Sequence, residues 1–141
     1  MPFIIFPQQP DNKLAVLSPA PCGLTIEEIA AKDVPEGVPY AIVEDISNVD
    51  DAYFDGFIYE DGEAVADIAA CKNIHLNKFR AARAPKLQKL DVDYMKAIET
   101  EDSVKAAEIA IKKQELRDVT KTPLPDTLPE LKEVWPDILN P

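Results

Sequence analysis

Apolar positions along this chain follow two rhythms, and the rhythm changes near residue 67. Phe3-Ile4-Ile5-Phe6 is a short continuous apolar run bounded by prolines, and Leu14 to Leu17 is another, with Gln8-Gln9-Pro10-Asp11-Asn12 between them. Such a pair predicts a strand, a turn and a strand. Pro19, Pro21 and Gly23 then break the chain ahead of Thr25, which stands three residues before Glu28 in a capping-box arrangement, with Leu24 and Ile29 at the staple positions. A short helix from about Ile26 to Lys32 is expected there, ended by Pro35. Val38 to Val43 is β-rich despite Pro39. Tyr53 to Tyr59 alternates apolar and polar residues around Gly56 before the turn pair Asp61-Gly62. Strands are predicted at both, the second as the first arm of a hairpin returning through Glu63 to Ala66. Glu44 to Asp51 between them reads as an acidic loop.

From Asp67 onward the period is helical. Ile68, Cys71, Ile74, Phe79 and Ala82 recur at helical spacing, and beyond Pro85 the series continues through Leu87, Leu90, Tyr94 and Ile98. A helix of up to about thirty residues is implied, with Pro85 as a bend or restart, because proline removes one backbone hydrogen bond and clashes with the preceding turn. Val104, Ala107 and Ile111 set up a second stripe running to about Asp118. Two consecutive amphipathic helices with a short join are expected to lie antiparallel. The tail carries prolines at 123, 125, 129 and 136, with a helical turn expected from Pro129 to Val134 and Trp135 as the anchor holding it over the hairpin.

Charge sharpens this division. Residues 1 to 67 hold fourteen Asp and Glu against Lys13 and Lys32, a net of −12, while residues 68 to 141 hold thirteen Lys and Arg against twelve acids, a net of +1. The expected fold is therefore α+β: an acidic β-rich unit with one short helix at 1–67, an antiparallel helical hairpin at 68–119, and a Pro-rich tail with Trp-Pro at 120–141. A basic run of Lys72, Lys78, Arg80, Arg83, Lys86 and Lys89 opens the second half. It admits three readings: a face pairing with the chain's own acids or with solvent, a face for an acidic partner protein, or a phosphate-binding face. A chain at −11 overall opposes the last by long-range repulsion of a polyanion, so nucleic acid is not an expected partner.

Candidate chemistry is sparse. His75 is the only histidine, which rules out a multi-His metal site and points to a packing or helix-surface role. Asp50-Asp51 and Asp61-Gly62-Glu63 lack the ligand periodicity of a calcium loop. No catalytic, cofactor or metal site is expected, and the chain reads as a non-enzyme. Cys22 and Cys71 match neither a redox pair nor a metal knuckle; two reduced, mostly buried thiols are expected, with a disulfide as the other possibility. Apolar runs fall far short of the ~20 residues that cross a bilayer, and Met1-Pro2-Phe3 offers no basic start to a signal peptide. A cytoplasmic protein without membrane association is expected. Asp118 beside the negative end of the second helix is unfavourable unless paired, and a buried pairing with Arg80 or Arg83 is the expected remedy.

Arg80-Ala81-Ala82-Arg83, then Leu87, then Leu90-Asp91, a second helix ending Glu115-Leu116-Arg117-Asp118-Val119, and finally Trp135-Pro136 resemble the C-terminal module of bacteriophage tail assembly chaperones. The resemblance covers about residues 75 to 138. It departs from the family where Asp91 is followed by Val92-Asp93-Tyr94 instead of an early tryptophan, and in the longer segment between Asp118 and Trp135. Lys32-Asp33-Val34-Pro35-Glu36-Gly37-Val38-Pro39-Tyr40 is similar to leaders of small phage proteins. The resemblance implies a protein of the host cytoplasm that binds a tail fibre or other tail component stoichiometrically during assembly; by residue type, the expected gripping surface is the hairpin and tail, including Phe79, Arg80, Arg83, Tyr94, Arg117 and Trp135. A homo-oligomer is possible. The alternative is a structural protein that stays in the virion, whose Met1 to Pro10 strand adds to a neighbouring sheet edge.

Overall fold

A computed structural model describes residues 2–141. The chain is α+β, with a curled antiparallel five-stranded sheet followed by long helices. It forms two compact units, Met1–Cys71 and Lys72–Pro141. Residues 68–71 carry no charge, so these units have the same net charges as the two sequence halves.

In the first unit, β1 (Phe3–Gln8) pairs antiparallel with β2 (Lys13–Leu17) through Ile4 with Leu17 and Pro7 with Leu14. Helix α1 (Ile26–Asp33) opens on the predicted capping box: Thr25 Oγ1 accepts from the Glu28 amide, and the Glu28 carboxylate accepts from the Thr25 amide. Its buried Ile29 and Ala30 pack with Val34 onto Ile4, with Phe6 and Leu17 alongside. Strand β3 (Ala41–Val43) is shorter than the Val38–Val43 expected. The Val38 amide turns back to the Pro35 carbonyl at 3.1 Å, and Pro39 has no amide to give a ladder.

Tyr53 to Gly56 is not a strand. Asp50 accepts from the Ala52 amide at 3.0 Å and starts a 3-10 turn over Asp51–Gly56, so extended structure begins only at β4 (Phe57–Glu60). The turn then leads through Asp61 and Gly62, both at positive φ, into β5 (Glu63–Ala66), as the Asp-Gly pair predicts.

Strand order is β3-β1-β2-β4-β5. This overturns the expectation that the first strand adds to a neighbouring sheet: β1 has β2 on one side and β3 on the other, and the sheet edges are β3 and β5. Met1, the first residue of that expectation, lies outside the described residues.

Helix α2 (Ile68–Glu99) is a single helix with Pro85 inside it, so the restart that was one of two expectations there does not occur. The lost hydrogen bond costs about 3 kcal/mol. It is offset because Leu76, Phe79 and Ala82 before the proline and Leu87 and Leu90 after it all join one apolar cluster with Leu116, Val119 and Leu139. Asp102 caps α3 (Ser103–Asp118) by accepting from the Lys105 amide at 3.0 Å. Arg83 meets the end of α3 at Leu116 and Arg117, Asp91 meets Lys113, and Ala97 meets Ala106, so the helices run antiparallel as expected.

The face α3 buries is not the expected one. Ala106, Ile109 and Leu116 are buried, whereas Val104 is 70% and Ile111 61% exposed. The buried stripe was hidden by Lys113 within it; the Lys113 ammonium pairs with Asp91 at 2.7 Å and sits 5.2 Å from the Tyr94 ring centre. The tail forms a short helix, α4 (Leu128–Lys132), and a final 3-10 turn over Asp137–Leu139. Leu131 and Leu139 are its buried anchors, while Trp135 remains 40% exposed.

Candidate functional site

The best-defined constellation in the second unit lies where the start of α2, the end of α3 and the tail meet. Phe79 is wholly buried there. The His75 ring stands edge-on to it at 4.9 Å, and the Trp135 ring does so at 5.5 Å. His75 Nε2 lies 2.7 Å from the Val134 carbonyl oxygen, which can only accept, so Nε2 carries the proton. One buried imidazole thus fixes the backbone residue just before Trp135. The packing role expected of His75 is the one it has, and its hold on the tail is the part that sequence reading missed.

Around this stack the basic run is tied down along much of its length. Lys72 pairs with Asp126 at 2.6 Å, Arg80 donates to Asn77 Oδ1, and Lys86 donates to the Asn140 carbonyl at 2.7 Å. Arg83 donates to the carbonyls of Leu116 and Arg117, the latter at 2.8 Å, placing a cation at the negative end of α3. The expected pairing of Asp118 with Arg80 or Arg83 is therefore corrected: Arg83 serves the carbonyls, and Asp118 accepts from Lys121 and Gln114. The Lys121 and Gln114 bonds hold the Asp118 carboxyl below its ordinary pKa, and Lys72 does the same for Asp126.

The six residues expected to bind a partner separate into three groups. Phe79 is internal and supports Trp135 instead of meeting a partner. Tyr94 is half-buried against Lys113 and lies fifteen residues further along α2, roughly 22 Å from Phe79 at 1.5 Å per residue. Arg80, Arg117 and Trp135 are exposed, and Arg83 is half-buried in its capping role. Beside Leu116 an open cleft of about 360 Å³ is lined by Lys86, Lys89, Lys112 and Glu115 over Leu90, Leu116 and Ile138. The arrangement presents an aromatic edge, guanidinium groups and a lysine-rimmed apolar floor, which suits a protein surface carrying apolar and acidic groups.

Elsewhere both thiols are reduced, as expected, and only the exposure of Cys22 departs from expectation. Cys71 is buried, and burial together with Asp67 and Asp50 pushes its pKa up, but Cys22 is exposed; neither forms a disulfide. Among the described residues no group of three or more His, Cys, Asp or Glu side chains is placed to hold a metal ion, and no helix is long and apolar enough to cross a membrane. Comparison with family models, with curated proteins and with solved structures returns no match to this chain.

Proposed function

We propose that this chain is a phage tail assembly chaperone that binds a tail fibre or other tail component stoichiometrically, with the second unit as its gripping module. The observation that carries the reading is Trp135. It is the only tryptophan of the chain and is 40% exposed, yet it is positioned by the wholly buried Phe79 and by the His75 bond to the preceding carbonyl. An aromatic side chain held in place before binding loses little entropy when a partner covers it, which is how a small number of residues come to dominate an interface. Arg80 and Arg117, both exposed, supply donors for carboxylates or carbonyl groups of the client.

The first unit, at −12, supplies repulsion between client complexes and so keeps them from associating. The order of residues from Arg80 to Trp135-Pro136 that resembles tail assembly chaperones supports the same reading. No reaction step is assigned to the chain.

Mass spectrometry of purified particles separates this reading from that of a virion component. A chaperone acts and leaves, so the chain is expected at trace level or absent. Recovery at a fixed copy number matching the symmetry of the tail would transfer the assignment to a structural protein.

A further inference from the structure

The outward face of α3 is apolar without any partner in the hairpin. Val104, Ala107 and Ile111 fall within about 60° of one another around the helix, on the side away from the buried Ala106, Ile109 and Leu116. A hairpin that is complete in itself has no use for a second apolar stripe on a helix whose first is already packed.

One flank of this stripe carries Lys105, Glu108, Lys112 and Glu115, all exposed and within about 80° around the helix. Their signs alternate and their spacings are three, four and three residues, so the pattern read from the other end is the same with every sign inverted. Among the described residues none of the four makes a salt bridge.

We propose that α3 pairs with α3 of a second copy of this chain, antiparallel about a two-fold axis, through Ile111 and Ala107 of the apolar stripe. Such an axis brings the same flank of both helices side by side. With the axis level with Ala110, Lys105 faces Glu115 of the second copy and Glu108 faces its Lys112, each pair occurring twice; Ile111 of both copies meets near the axis with Ala107 beside it, and Val104 lies at the end of the seam, level with residue 116 of the second copy. A parallel two-fold pair sets this flank against the opposite one, Ser103, Ala110 and Gln114, and leaves all four charges unmatched. A strongly acidic or basic partner gains nothing from a flank of two Lys and two Glu, so the chain itself is the partner with matching charges. The seam from Val104 to Glu115 is only about 17 Å long, at the small end for a specific contact, so a weak dimer is expected. Lys112 and Glu115 also line the cleft beside Leu116, and the inference rests on no particular client.

Sedimentation equilibrium of the full chain from about 1 µM to about 1 mM tests it. The wild type is expected to pass from monomer to dimer across that range, and Ile111→Asp to remain monomeric. Glu108→Lys with Glu115→Lys makes the flank uniformly positive and is expected to raise the dissociation constant at least about tenfold. Adding Lys105→Glu and Lys112→Glu restores an alternating pattern of inverted sign and is expected to return association to the wild-type level. These positions are exposed, so circular dichroism should be unchanged. A wild type that stays monomeric throughout, a uniformly positive flank that associates as tightly as wild type, or a sign-inverted flank that fails to recover overturns the proposal.

Discussion

Phe79→Ala is expected to destabilise the second unit by about 3–5 kcal/mol, the cost of emptying a large aromatic site in a packed core. Phe79 is wholly buried among Leu116, Val119 and Leu139, and it is the ring against which both His75 and Trp135 stand edge-on. Loss of the ring removes those edge contacts, worth a further ~0.5–1.5 kcal/mol each, and frees the tail beside the indole. Whole domains have only about 5–15 kcal/mol of stability, so the unit is expected to be partly unfolded at 37 °C. Because Trp135 is the only tryptophan, its emission reports this unit alone. Urea unfolding followed by that emission should show a lower midpoint and a red-shifted native spectrum. Phe79→Leu, which retains most of the volume, should lose much less. A native-like spectrum and an unchanged midpoint for Phe79→Ala would show that the ring does not hold the tail.

Gly56→Ala is expected to disturb the first unit by about 1–3 kcal/mol through overpacking. A Cβ at residue 56 would stand 2.6 Å from Cys71 Sγ and 3.2 Å from the Cys71 amide nitrogen, distances at which something must move. The backbone there is held: the Gly56 carbonyl accepts from the Asp67 amide at 2.7 Å, and Cys71 Sγ lies 3.7 Å from it. Side-chain and backbone contributions separate in a double-mutant cycle. Cys71→Ala removes the sulfur but leaves the amide, so Gly56→Ala should cost less in that background without becoming neutral. Amide exchange in β1 and β2 is the readout, and equal costs in both backgrounds would place the strain elsewhere.

Local chemistry made much of the fold legible in the sequence. Thr25 and Glu28 announce α1 because two side chains satisfy two otherwise unpaired amides, and Asp61-Gly62 announces its hairpin because both residues tolerate positive φ. Where a local signal competed with another, the reading went astray. The alternation from Tyr53 looks like a strand, but Asp50 captures the Ala52 amide first. On α3 two apolar stripes are available, and the buried one contains Lys113, a charge that only Asp91 and Tyr94 on another helix make tolerable. Periodicity cannot register a partner about twenty residues away in sequence.

The same limit applies to the candidate site. Trp135 and the arginines stand out by residue type, whereas the buried state of Phe79, the carbonyl bond of His75 and the diversion of Arg83 to the end of α3 depend on where the tail folds back. Nothing in residues 120 to 141 alone places Leu131 and Leu139 in a core rather than on a surface. The placement comes from tertiary packing.

The proposed binding of a tail component during assembly is tested by producing a candidate tail fibre protein with and without this chain. The yield to score is soluble fibre trimer by size-exclusion chromatography with light scattering. Trimer is expected to accumulate when the chain is present and fibre protein to aggregate otherwise, and Trp135→Ala with Arg117→Ala is expected to reduce the yield without unfolding the chain. Equal amounts of soluble trimer with and without the chain would contradict it.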